Sequence, residues 1–327
     1  MVHQRIGEVG YAIQSGVGVP ASNPAYAMGV QEGFPAVVED IGVSIPAAHL
    51  LVAQDVRKGL TRWETGTTTW AYAASLGPLL KGALGAETVT GGGPYDHKFT
   101  PGTTDRYLSL FSAKGSLYER WVDGLVESLI LDWMSSRRVS ATLQASGLDA
   151  SILGSAYTPG LREAEGPNEE VFHYIGATMK VDWADTPATT VLTNIEDGAI
   201  RFTRPLTIVA TADAQGAMSI NRGPLEIEGA FSLIVDDLDG YRTTFMGSAT
   251  GSAPSPIVVY GSVDFTFVAG AGRTLRVEVP RAAFRWESPQ PRQRAGALMT
   301  DVHFIAARPS SGDFATATLT NGVSGSY

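Results

Sequence analysis

The chain has 327 residues, 44% hydrophobic and 17% charged, which is apolar enough for a sizeable core and excludes bulk disorder. At ~150 residues per domain its length suits about two domains. With no Cys, disulfide scaffolds, thiolate metal sites and Cys nucleophiles are excluded, and the net charge of −9 argues against a generic nucleic-acid binder, which needs a basic face.

The 37 Gly and 18 Pro predict many turns and therefore short strands. Residues 1–35, rich in both and without clear periodicity, read as an N-terminal arm or irregular segment. A first domain is expected over 36–160 and a second over 161–327. Period-two alternation predicts a strand from Trp63, then strands at Tyr107–Phe111, Leu125–Met134 and Val139–Ala145. Between them Ser75 is placed to cap the helical run SLGPLLKGALG, with Pro78 in its first turn and Gly85 as the left-handed C′ residue. Residues 149–170, including GPNEE, read as a long irregular loop.

Alternation resumes at Thr178–Trp183 and is clearest over Leu225–Val235. There Leu225, Ile227, Phe231, Leu233 and Val235 share one face, and Glu226, Glu228, Ser232 and Asp236 share the other. Asp236 or Asp237 is the expected cap of a second short helix, DDLDGYRTTFMG, ending at Gly247. Strands follow at Val263–Phe267, Leu275–Val279 and Leu298–Ala306. Pro280, lacking an N–H, is expected to end its strand or mark a bulge.

The order of elements repeats. Trp63 and Leu225, which open the strands before the two helices, stand 162 residues apart, as do Gly85 and Gly247, and Gly147 and Pro309. Each helix is followed by a Gly/Pro-rich loop and then alternating strands. This predicts a duplicated strand–helix–strands unit, despite negligible residue identity between the copies.

Convergent catalytic groups are not evident. His3, His49, His97, His173 and His303 are scattered, and no HExxH, EF-hand series or GxSxG elbow occurs. His97 and His303 read as structural or surface histidines. Gly91-Gly92-Gly93 is followed by neither Lys-Ser/Thr nor a helix, so it reads as a flexible loop rather than a phosphate cradle. The carboxylate pairs Asp182/Asp185 and Glu226/Glu228 read as solvated strand faces. No catalytic, cofactor-binding or metal-ligating residue is assigned, and no enzyme is expected. Trp63, Trp133, Trp183 and Trp286 fit core positions; Trp70 and Tyr72 fit either an interface stripe or a sugar-stacking platform. No stretch approaches the ~20 apolar residues that span a bilayer, and MVHQRIGEVG has no apolar secretory core, so a protein made in the cytosol and not bound to membrane is expected.

The run LGPLLKGALGAETVTGGGPYDHKFTPG resembles a segment of the tail tube proteins of long, non-contractile tailed bacteriophages: a helix ending ALG, a Gly/Thr loop and a GPY-x-H-x-F-T segment. The following LSLFSAKGSLYERWVDGLVESLILDW fits that family's next strands. NRGPLEIEGAFSLIVDDLDGYRTTFMG resembles its second strand-then-helix block, and RVEVPRAAFRWESPQPRQRAGALMTDVHFIAA its terminal strands. The resemblance covers about residues 60–320 and lies in the order of blocks rather than in any one motif.

The resemblance implies a mainly β fold: two tandem tube-like sandwich or barrel units, each with a short helix, that complete a large β-barrel on oligomerisation. It implies a structural virion protein, assembled in the host cytoplasm into stacked rings of the phage tail. DNA would leave through the lumen without specific binding, and the tape measure and tail-end proteins would be further partners; no sheath and no cofactor are implied. Two units per chain favour a trimeric ring with pseudo-six-fold symmetry over a hexamer. Asp182, Glu226 and Glu228 are candidate acidic residues of the lumen wall, where negative charge keeps DNA from sticking. The tube of a related secretion or injection system, and a carbohydrate-binding β-sandwich adhesin, are the alternative readings.

Overall fold

A computed structural model of the chain describes residues 8–44, 55–134, 137–158, 161–162, 170–184, 188–209, 219–236, 238–287, 290–291 and 298–327. The first half contains β1 (Glu8–Ile13), β2 (Tyr26–Glu32), β3 (Ala36–Ser44), β4 (Asp55–Trp70), α1 (Leu76–Leu84), β5 (Gly85–Thr90) and β6 (Tyr95–Pro101). It continues with β7 (Leu108–Lys114), β8 (Leu117–Met134), β9 (Ser140–Gly147), β10 (Asp149–Leu153) and β11 (Leu161–Arg162). The second half contains β12 (His173–Asp182), β13 (Val191–Leu192), β14 (Ile195–Thr203), β15 (Leu206–Val209), β16 (Ser219–Arg222), β17 (Glu226–Ile234) and α2 (Asp239–Met246). β18 (Tyr260–Gly270), β19 (Arg273–Trp286), β20 (Gln290–Pro291), β21 (Leu298–Ala306) and β22 (Thr316–Asn321) complete it.

The fold is mainly β, and its spine is a wall of eight antiparallel strands in the order β3–β4–β9–β8–β14–β17–β21–β19. No closed barrel forms among the described residues; the wall is open at both ends. The long strands β8 and β19 each leave the wall and run on into a second layer. β8 turns at Asp123, whose φ of 54° is the only positive value at a non-glycine residue described, followed by Gly124. β19 turns at Pro280, where its register with β18 shifts. Pro280 therefore marks a bulge and does not end the strand.

The second layer over the first half pairs β2–β1–β7–β8–β10, and that over the second half pairs β13–β12–β18–β19–β22–β6–β5. Aromatic side chains fill the gap between layers. Trp63 is fully buried and donates from Nε1 to Val122 O at 2.8 Å. A Cβ on Gly147 would lie 2.3 Å from its ring, so the wall admits that indole only because β9 has no side chain there. Across the second half, Trp133 packs on Phe265 and Phe267 at 5.3 and 5.2 Å, and Phe231 meets Phe265 edge to face.

Several expectations need correction. Within the expected irregular arm 1–35, the described residues 8–35 are not irregular throughout: β1 and β2 lie there, β1 is hydrogen-bonded to β7, and Val9 and Tyr11 are fully buried. Both faces of β1 are covered, so alternation carried no signal. Residues 149–153 of the expected 149–170 loop form β10 against β8, while most of GPNEE lies outside the described residues. Ser75 does occupy the N-cap of α1 without a capping hydrogen bond from its side chain, and Gly85 follows at φ 104°. The N-cap of α2 is Leu238 rather than Asp236; Asp237, like His3, His49 and Asp185, lies outside the described residues.

Candidate functional site

The face of the wall turned away from the core presents side chains from strands across the whole sheet. Alternation puts Leu129, Leu131 and Trp133 of β8, Ile200 and Phe202 of β14, and Ile227, Phe231 and Leu233 of β17 on the core side. Their neighbours form unbroken cross-strand rows on the open face. One row runs Thr68–Thr142–Ile130–Arg201–Glu228–Ile305–Ala283 across seven strands. The next runs Trp70–Ser140–Asp132–Ala199–Ala230–His303–Arg285.

These rows are stitched by short polar contacts: the Thr68 and Thr142 hydroxyls lie 3.0 Å apart, and Ser128 donates to Gln144 Oε1 at 2.8 Å. Glu226 and Glu228 stand here, both exposed, with Glu228 3.4 Å from Arg201 Nη1. Both members of that pair are about half exposed, so it contributes little to stability. Asp182 is elsewhere: β12 holds it opposite Ser262 in the second layer, and its Oδ1 accepts the Ala184 N–H at 3.1 Å. The structure thus brings two of the three expected carboxylates together. Alternation tells which face of a strand a residue takes, but not which sheet the strand joins.

Sequence reading missed a larger acidic group on the same face. A shallow groove of about 420 Å³ crosses β8, β14, β17 and β21, with Asp132, Asp197, Asp301 and Glu287 around it. Ser232 donates to Asp301 Oδ1 at 2.7 Å, and His303 Nε2 lies 3.3 Å from Glu287. Partial burial in the groove, with the Asp197 charge added, raises the Asp132 pKa above the usual carboxylate value. Among the described residues no group of three or more His, Asp or Glu is placed to hold a metal ion.

The remaining candidates resolve into structure. His97 is fully buried, with Nδ1 2.9 Å from Glu87 and Nε2 3.0 Å from Val323 O. Glu87 also meets Lys81 at 2.9 Å and accepts from Ser326 and from the Tyr327 N–H. Burial pushes the Glu87 carboxyl up, but these hydrogen bonds outweigh it and leave its pKa below the ordinary value. Trp70 and Tyr72 form no shared platform: the strand ends at Trp70, Tyr72 is 8% exposed in a bridge to Val171, and the Arg138 guanidinium lies 5.9 Å over Trp70. No helix among the described residues is long and apolar enough to cross a membrane.

Neither a scan against protein-family models nor a search of curated proteins gives a match to this chain. The geometry of the wall and its two open ends therefore carries the functional reading.

Proposed function

We propose that this chain is a structural, ring-forming tube subunit of the phage tail type, built from two tandem units. Three copies would close one ring, with the eight-stranded wall turned toward a lumen that conducts DNA. The observation that carries this reading is the repetition of strand pairing. β3–β4–β9–β8 and β14–β17–β21–β19 are successive groups of four with the same internal order, and β8 joins β14 edge to edge.

The repetition extends to individual pairs. Ala36↔Glu64, Ile41↔Lys58, Gly42↔Arg57 and Ser44↔Asp55 in the first group correspond to Arg201↔Glu228, Leu206↔Arg222, Thr207↔Asn221 and Val209↔Ser219 in the second. A junction used once inside the chain supplies a rule for the next junction: the open end of β19 and β20 meets β3 of another copy, as β8 meets β14. Such head-to-tail contacts close only when the rotation divides a circle, and closure hides edges that would otherwise invite aggregation.

Size supports the reading. Roughly 24 strands at ~4.8 Å spacing give a circumference of about 115 Å and a diameter of about 37 Å before strand tilt widens it. That leaves room for a DNA duplex inside the side chains. Glu226, Glu228 and the Asp132 group would line the lumen and discourage adhesion of the phosphate backbone; Asp182 would not. Mass photometry and negative-stain electron microscopy of the purified chain over a range of concentrations test the proposal. Hollow rings of three chains are expected, and a monomer that persists at the highest attainable concentration argues against it.

A further inference from the structure

The two helices end in different surroundings. All nine residues of α1 are buried, and its last-turn carbonyls are met by a cation from the second half of the chain. Arg222, at the end of β16, donates from Nη2 to Gly82 O at 2.8 Å and to Val126 O at 3.0 Å. At α2 only Gly240 is buried and the last turn contains no basic residue. Phe245 is 47% exposed, and Ile257 and Val258, in the loop that folds back to donate the Ser255 N–H to Phe245 O, are 72% and 56% exposed.

The register shows what would cover it. Arg222 lies opposite Leu206 on the β15–β16 hairpin, which grows from β14, the strand seated against β8. Its counterpart in the first group is Lys58, opposite Ile41 on the β3–β4 hairpin. β3 pairs only with β4 among the described residues, and β19 is open on one edge beyond Ala283. The hairpin that holds a cation at this register position therefore stands at one open end of the wall. The C-terminal pole of α2, which carries partial negative charge and draws no basic residue from its own last turn, belongs to the group at the other end.

We infer that the β3–β4 hairpin of a second copy of this chain covers the C-terminal end of α2 together with Phe245, Ile257 and Val258, bringing Lys58 to the register position that Arg222 holds at α1. This inference rests on the ring reading proposed above. Because the chain has no Cys, engineered thiols report cleanly. Full-length chains carrying Lys58→Cys are mixed with chains carrying Phe245→Cys, assembled, and treated with a short bismaleimide. The expected product is a covalent dimer in which mass spectrometry joins the two substituted peptides.

Rings that assemble without this link overturn the inference and leave the ring reading standing. A chain that forms no oligomer at any concentration removes both. A second variant guards against a local effect of the thiol. Lys58→Glu is expected to raise the concentration needed for assembly about tenfold or more, and Lys58→Arg to leave it near that of the unmodified chain. Equal assembly of all three also overturns the inference.

Discussion

α1 and α2 follow corresponding strands and both end at a glycine with positive φ, yet every residue of α1 is buried whereas in α2 only Gly240 is. The difference arises outside the helices. Three groups from distant parts of the chain close over α1: Arg222, Arg204, whose Nη2 donates to Leu84 O at 3.0 Å, and the segment ending at Tyr327, whose ring leaves no room for a Cβ on Gly77. All three come from the second half of the chain. On the ring reading a repeated unit is finished by its successor, and the last unit in a chain stays unfinished until a successor arrives from another copy.

That contrast can be broken most strongly in the core of α1. Leu80→Ala is expected to cost about 2–5 kcal/mol, because a fully buried side chain leaves a cavity between α1 and the wall. Phe245→Ala in α2 is expected to cost less than about 0.5 kcal/mol in the free chain. Urea unfolding of the dilute protein measures both, and similar losses would show that α2 is already packed without a partner.

Arg222→Met comes next. Burial, reinforced by the nearby Arg204 charge, lowers the Arg222 pKa to about 10, so the guanidinium remains charged at neutral pH despite its enclosure. Removing it deprives the Gly82 and Val126 carbonyls of a charged donor and is expected to cost roughly 2–3 kcal/mol in the free chain.

A smaller effect concerns the polar cover of α1. The Glu87 carboxylate is held below its ordinary pKa, so its contribution to stability is present above the unfolded-state value near 4.5 and is lost as pH falls through the folded-state value. Melting temperatures between pH 3 and pH 7 should therefore fall on acidification, and Glu87→Gln should flatten that dependence while lowering neutral-pH stability. An unchanged slope would remove Glu87 from the account. A similarly small change is expected for Arg201→Ala on the wall, about 0.2–1 kcal/mol for a half-exposed pair with Glu228.

How legible this fold is from sequence depends on what each strand buries. Leu298–Ala306 was readable to the residue, and Leu225–Val235 to within one residue at each end, because each packs one face and exposes the other. β1 was not readable, since Val9 and Tyr11 face the core while Gly10 is pressed against Pro24. The proposed repeat is read from sequence at a spacing of 162 residues, whereas the matching strand pairs lie 164 and 165 residues apart, and the β8–β14 junction leaves no sequence signal at all. That junction sets Trp133 opposite Gly198 and Leu131 opposite Ile200, residues far apart along the chain, and nothing local encodes it. The acidic groove was hidden for the same reason, as Asp132, Asp197 and Asp301 meet only through sheet order. Glu226 and Glu228 could be set on one face from sequence because both lie on one strand.

Cryo-electron microscopy of the assembled protein, at a resolution that traces strands, tests the central claim most directly. The account predicts three chains per ring, an inward-facing wall of continuous antiparallel strands, and β19 of each chain paired to β3 of the next in the manner of β8 with β14. Six chains per ring, or a ring whose lumen is formed by the second layer while Glu226 and Glu228 face outward, would contradict it.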